Sequence, residues 1–157
     1  MKNLERCFID TNVLLRRAQT NHEHHTIADG AVAKLLSQNT ELFIAPQTIY
    51  EFWAVVTRPT TARGGFGWTT MQCDVEIEDL LRVFSLLTTS EAETYREWRR
   101  LVSIYNVSGV AAHDARLVAA MKLHGIEEIL TFNTKDFARY ATENIRVLDP
   151  AQIVATS

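Results

Sequence analysis

Asp10 follows directly on the apolar run Cys7-Phe8-Ile9. A carboxylate in that place is poorly explained as a solvated charge, although capping the next helix is an equally ordinary role for Asp. Asp114 has Leu117, Val118 and Met121 at i+3, i+4 and i+7, which puts it on the buried side of a helix. Buried bare it would be costly, so it needs a partner or a metal. Its plainer role is to sit in the first helical turn, where the dipole favours an anion by about 0.3–1 kcal/mol. Asn133 and Asp136 follow the run Ile129-Leu130-Thr131, and there the plainer reading is a turn capped by Asn133 or Thr134. Glu51 projects away from the stripe Ile49, Phe52, Trp53 and Val56, so periodicity alone has it facing solvent. It also lies within two turns of a helix start that follows a strand. Each of these residues alone says little. Four carboxylates meeting at the ends of strands repel one another, and a cation that joins them relieves that repulsion.

The elements that must position them alternate along the chain. Leu4–Ile9 reads as a strand, followed by a weak helix to Arg17 and a polar loop from Gln19 to His25. A helix over Thr26–Ser37, a strand over Leu42–Ala45 and a helix from Pro46 to Thr57 come next, with Pro46 suited to a first helical position. Gly64, Gly65 and Gly67 mark Thr60–Trp68 as a mobile loop. Thr69 or Thr70 caps a helix carrying Ile77, Leu80, Leu81 and Phe84, and Ser85–Thr88 reads as a short extended piece. Ser90 with Glu93 forms a capping box opening a helix to Tyr105, and Val110–His124 is a helix closed by Gly125. Glu128–Phe132, Thr134–Tyr140 and Ile145–Leu148 complete the order as strand, short helix and strand. This alternation predicts one three-layer α/β/α domain over residues 1–157, with a mainly parallel sheet covered on both faces. Ligands of such sheets bind beyond the carboxyl ends of the strands, where Asp10 sits.

Composition narrows the classes. Of 157 residues 46% are apolar, enough to bury a core, and 16 basic against 19 acidic side chains give a net charge of −3. That balance excludes a protein that coats nucleic acid through bulk positive charge, but not one that cuts it locally. Cys7 and Cys73 have no neighbouring partners and read as reduced thiols. No apolar run approaches the roughly 18 residues of a membrane span. The start, Met1-Lys2-Asn3-Leu4-Glu5-Arg6, lacks the apolar core of a signal peptide, so a cytoplasmic protein is expected. His22, His24 and His25 cluster without zinc-site spacing and are expected on the surface; His113, beside Asp114, is given no catalytic role.

Four segments in order carry a resemblance: Phe8-Ile9-Asp10-Thr11-Asn12, then Pro46 with Tyr50-Glu51-Phe52, then His113-Asp114-Ala115, then Leu130 to Phe137. Together they resemble the PIN domain, and most of all the single-domain, VapC-like toxins of prokaryotic toxin–antitoxin pairs, from about Leu4 to Pro150. The resemblance implies a ribonuclease that holds Mg²⁺ or Mn²⁺ on Asp10, Glu51 and Asp114, with Asp136 as a further catalytic acid. Many relatives carry Asp two residues after the strand Thr, where this chain has Asn133. Asn still offers a neutral oxygen but removes one charge, and Asp136 could compensate. Thr11, Asn12, Thr131 and Asn133 are the supporting residues, orienting the carboxylates. Arg58 and Arg63, which bracket the glycine-rich loop, are the candidate RNA contacts, with Phe66 and Trp68 as stacking faces or simply as loop anchors. The family also implies an antitoxin partner and a homodimer, and the aromatic and aliphatic content of the Val75–Leu87 and Tyr95–Tyr105 helices could supply the interfaces. Two alternatives remain: a PIN-like module that has lost catalysis and binds RNA or protein, favoured by Asn133, and a phosphatase using Asp10. The second ranks low because that chemistry wants an Asp at position 12.

Overall fold

A computed structural model describes residues 4–156. Residues 1–3, part of the segment read above as lacking a leader, and residue 157 lie outside them. The five strands are β1 (Arg6–Ile9), β2 (Glu41–Ile44), β3 (Ser85–Leu86), β4 (Glu128–Leu130) and β5 (Arg146–Leu148). They pair in the order β3-β2-β1-β4-β5, every pair parallel. Parallel neighbours need crossovers, and helices supply them: α1 (Thr11–Ala18) and α2 (His25–Ser37) between β1 and β2, then α3 (Pro46–Val56) and α4 (Thr70–Val83) before β3. α5 (Glu91–Ile104) and α6 (Ala111–Leu123) lead into β4.

Strand side chains alternate between two cores. Cys7, Ile9, Leu42, Ile44 and Leu130 point to one side, where Val13, Leu14, Val32, Leu35 and Phe52 of α1–α3 cover them. Phe8 and Ile129 point to the other, against Leu101, Leu117, Val118 and Met121 of α5 and α6. This is the expected three-layer α/β/α arrangement, and it requires β1 to be apolar on both faces. Both cysteines are free and buried, and burial pushes the Cys7 thiol well above its ordinary range.

Capping residues fix where the helices begin. The Thr69 hydroxyl accepts from the Gln72 amide at 3.1 Å, and the Gln72 side chain accepts from the Thr69 amide at 2.8 Å. The Ser90 hydroxyl accepts from the Glu93 amide. The expected Thr134–Tyr140 helix is shorter: α7 covers Thr134–Phe137 and passes into a 3-10 turn over Ala138–Glu143. One helix was not expected at all, α8 (Pro150–Ala155). Asp149 caps it and Pro150 opens it, a pairing readable in the sequence. It packs on α2, where the Lys34 ammonium donates to the Ile153 carbonyl at 2.8 Å. Among the described residues no helix is long and apolar enough to cross a membrane.

Candidate active site

The chain leaves β1 to build β2 and β3 on one side, then returns to build β4 and β5 on the other. The reversal lies between β1 and β4, so the crevice forms at the carboxyl end of that pair. Asp10 is the first residue past β1 and its amide donates to the Leu130 carbonyl at 3.1 Å. Its two oxygens do different things. Oδ1 accepts from the Thr11 amide at 2.8 Å and caps α1. Oδ2 accepts from the Thr131 hydroxyl at 2.8 Å and from Asn12 Nδ2 at 3.2 Å. The capping role and a place in an acidic site are therefore held by one side chain. Only 5% of Asp10 is exposed. Burial pushes its carboxyl up to about 6, with Glu51 and Asp136 adding repulsion, while the bonds from Thr131 and Thr11 favour the ion.

Thr131 and Asn12 lock this corner. The Thr131 hydroxyl gives its proton to Asp10 and accepts from Asn12 Nδ2 at 3.2 Å and from the Asn133 amide at 3.0 Å. A hydroxyl has one donor and two acceptor sites, so all three are used. Asn12 Oδ1 accepts from the Phe132 amide. The turn after β4 is thus wrapped around the start of α1. The Asn133 side chain is exposed and makes no capping bond to α7.

Glu51 corrects the expectation from periodicity. It does not face open solvent but is half-buried, with Oε2 accepting from the Thr11 hydroxyl at 2.6 Å and Oε1 from Gln47 Nε2 at 2.8 Å. The stripe Phe52–Val56 reports only the face of α3 turned to the sheet. The other face of its first turns meets the start of α1, which periodicity does not record. Gln47, one turn before Glu51, was not singled out from the sequence. Its amide also donates to the His113 carbonyl at 2.8 Å, tying α3 to the first turn of α6. Gln47 is buried, and among the described residues its Oε1 has no donor partner.

Asp114 lies in that first turn of α6 and is half-buried. Burial first of all, and then the charges of Asp10, Asp136 and Glu51, raise its carboxyl to about 7 against the opposing Arg139. Asp136, in α7, is exposed but close enough for its charge to be felt at both. The four carboxylates are brought within electrostatic reach of one another. Among the described residues no three of them form a ready-made metal cage. The donor set still fits a hard cation. Mg²⁺ keeps several waters and takes one or two carboxylates, and excess negative charge here is opposed by one arginine.

Arg58 and Arg63 do not border the carboxylates. They line an open depression with Leu15, Arg16, Gln19 and His22, beyond the far ends of α1 and α3. The glycine-rich loop was expected to be mobile, but backbone bonds fix it: the Gly67 amide donates to the Arg58 carbonyl and the Trp68 amide to that of Val56. A Cβ at Gly65 would meet the carbonyl oxygens of Pro59 and Arg58. Phe66 and Trp68 pack edge to face at 5.8 Å, and Trp68 meets Phe52 at 6.1 Å, so both anchor the loop to the core. The histidines are likewise not free on the surface: His24 stacks on Phe132 at 5.1 Å and His25 Nδ1 bonds the Arg16 carbonyl.

This geometry has known counterparts. A PIN domain family model matches residues 7–143. No curated protein sequence matches the chain. Similar solved structures include VapBC-1 from nontypeable Haemophilus influenzae (TM-score 0.65, 18% identity), over 92% of this chain and 98% of that one. A toxin–antitoxin complex from Klebsiella pneumoniae gives TM-score 0.62 and 22% identity over 92% and 97%. Mycobacterium tuberculosis VapC20, a sarcin–ricin-loop-cleaving toxin, gives 0.62 and 17% over 84% and 93%. At such identities these likenesses speak for the fold alone. The family model does more, because it spans four of the five strands and every acidic position from Asp10 to Asp136: the chain belongs to the PIN domain family.

Proposed function

We propose that the protein is a divalent-metal-dependent endoribonuclease, the cytoplasmic toxin of a toxin–antitoxin pair. The observation that carries this reading is the crowding of Asp10, Glu51, Asp114 and Asp136 at the crevice between β1 and β4, with two of their carboxyls driven upward in the absence of a cation. Asp10, Glu51 and Asp114 are the residues that would hold Mg²⁺ or Mn²⁺, with Asp136 as a further acid. When bound, such an ion neutralises charge on the phosphate and makes water ionisable at neutral pH. The chain's own part is positioning. Thr131 and Asn12 orient Asp10, Thr11 and Gln47 orient Glu51, and the Gln47 bond to His113 fixes the start of the helix that carries Asp114.

The test is cleavage of single-stranded RNA with Mg²⁺ or Mn²⁺. Cutting should need the ion and should vanish in Asp10→Asn and Asp114→Asn chains that melt as cooperatively as the parent. Undiminished cutting by either variant would sink the assignment. Asn133 supports a second reading, a module that binds RNA or protein without cutting: absence of metal binding at millimolar concentrations favours it. An antitoxin partner is supported by the toxin–antitoxin complexes among the structures of similar fold. A homodimer is supported by the exposed Met71, Val75 and Leu81 on α4 and Tyr95 and Ile104 on α5. Co-expression with the neighbouring reading frame and sedimentation of the purified chain test these two points.

A further inference from the structure

The depression beyond α1 and α3 concentrates positive charge in a protein of net charge −3. Arg16, Arg58 and Arg63 line it together, and none of the three has an acidic partner within 4.0 Å among the described residues. Guanidinium groups at helix ends often neutralise the last carbonyls. Here several of those carbonyls already have partners. The Gln19 amide donates to the carbonyls of Leu15 and Arg16, the Thr57 amide to Trp53, and the Arg58 amide to Val55. Arg16 bonds the neutral Gln19 side chain instead, and Arg58 bonds the Arg63 carbonyl. Two of these fork-shaped donors, Arg16 and Arg58, are thus held by neutral partners, the Arg63 side chain is exposed beside them, and all three keep their charge unspent.

The same depression lies at the far ends of the two helices that start at the acidic crevice. α1 and α3 both begin there, with Asp10 and Glu51 near their starts. Arg16 lies six residues past Asp10, about 9 Å along α1 at 1.5 Å per residue, and Arg58 follows just after the end of α3, seven residues past Glu51. His22 is in the depression, its ring lies 5.3 Å from that of His24, and His24 stacks on Phe132, whose amide bonds Asn12 beside Asp10. Glu23, against His24, is the acid on the loop between α1 and α2.

We propose that Arg16, Arg58 and Arg63 form a phosphate-binding track that holds the backbone of single-stranded RNA on one side of the cut. The inference rests on the ribonuclease reading and deepens it by assigning Arg16 and the chemistry of the contact. Planar guanidiniums accept phosphate oxygens in pairs, and such contacts are independent of base identity. Each phosphate neutralised on a single strand adds about 0.7 to the slope of log affinity against log salt.

The experiment is salt titration of a short, unstructured, labelled RNA binding to the cleavage-silenced Asp10→Asn chain, with and without further substitutions. Arg16→Gln with Arg63→Gln should lower the slope by about 1.4, weaken binding most at low salt, and leave the thermal midpoint unchanged. Arg63→Gln alone, at an exposed side chain, should lower it by about 0.7 and guards against a double variant that folds poorly. Arg16→Lys with Arg63→Lys should keep most of the slope, and Arg96→Gln with Arg99→Gln on α5 should keep all of it. An unchanged slope in the first two variants, or an equal loss in the α5 control, overturns the track. The parent chain separates the two failures. If it cuts RNA with metal while the slopes do not move, the track alone falls; if it neither cuts nor binds RNA, the ribonuclease reading falls with it.

Discussion

Asp10→Asn removes a charge that the fold holds against its own preference, and the sign of its effect on stability should depend on pH. The carboxyl is driven from 3.8 to about 6, first of all by burial. A raised carboxyl favours the protonated form, so its stabilising share is fully present below pH 3.8 and is lost as pH rises through about 6. The difference, 6 − 3.8 ≈ 2.2 units at 1.36 kcal/mol each, is about 3 kcal/mol of stability withheld from the metal-free chain at pH 8. Asn avoids that cost and keeps an oxygen for the Thr11 amide, but disturbs the Thr131 and Asn12 bonds, at about 1 kcal/mol. The net expectation is a gain of about 2 kcal/mol at pH 8, and a loss of about 1 kcal/mol at pH 4, where the ionisation cost has gone. In a chain of this size the gain is about 4–8 °C in Tm. Urea and thermal melts in chelator at the two pH values read it directly. Millimolar Mg²⁺ should then stabilise the parent at pH 8 and leave Asp10→Asn unmoved. A variant that is destabilised equally at both pH values, or an equal response of the two chains to metal, refutes the reasoning.

Three further substitutions probe the surroundings. Thr131→Ala strips Asp10, Asn12 and the Asn133 amide of one shared partner and should cost about 1–3 kcal/mol in a denaturant melt, with Thr131→Ser restoring most of it. Gln47→Leu frees Glu51 and the first turn of α6, and calorimetry should find metal affinity about 10–100-fold lower while the fold persists. Unaltered affinity would show that Glu51 needs no positioning. Gly65→Ala drives a methyl against the carbonyls of Pro59 and Arg58, so limited proteolysis should open the loop over residues 58–68 faster than in the parent.

Much of this was readable from residue order. Asp10 could be placed because an apolar run on both faces of a strand implies a central parallel position, and the residue after such a strand lies at the carboxyl edge. Asp114 could be placed because its apolar neighbours at helical spacing turn it toward the buried side of α6. For Glu51 periodicity alone pointed to solvent, and only its place near a helix start after a strand pointed to the site, because a helix stripe reports the face on the sheet and is silent about a second face that meets another helix start. Gln47 escaped notice because an amide one turn before a carboxylate gains meaning only when a third group, the His113 carbonyl, arrives from the far half of the chain. The loop over residues 58–68 looked mobile because glycines were counted, whereas its amides bond across to the end of α3. α8 was overlooked because six residues carry too little periodicity, although Asp149-Pro150 marks its start.

The account turns on a divalent cation at the crevice between β1 and β4. Anomalous diffraction from crystals grown with millimolar Mn²⁺ near neutral pH tests it most directly. The expected result is a peak in contact with Asp10 and Asp114 oxygens, with Glu51 bonded directly or through water, and the loss of that peak in Asp10→Asn. A crevice without a peak at full Mn²⁺ occupancy elsewhere, or a peak that survives Asp10→Asn, contradicts it.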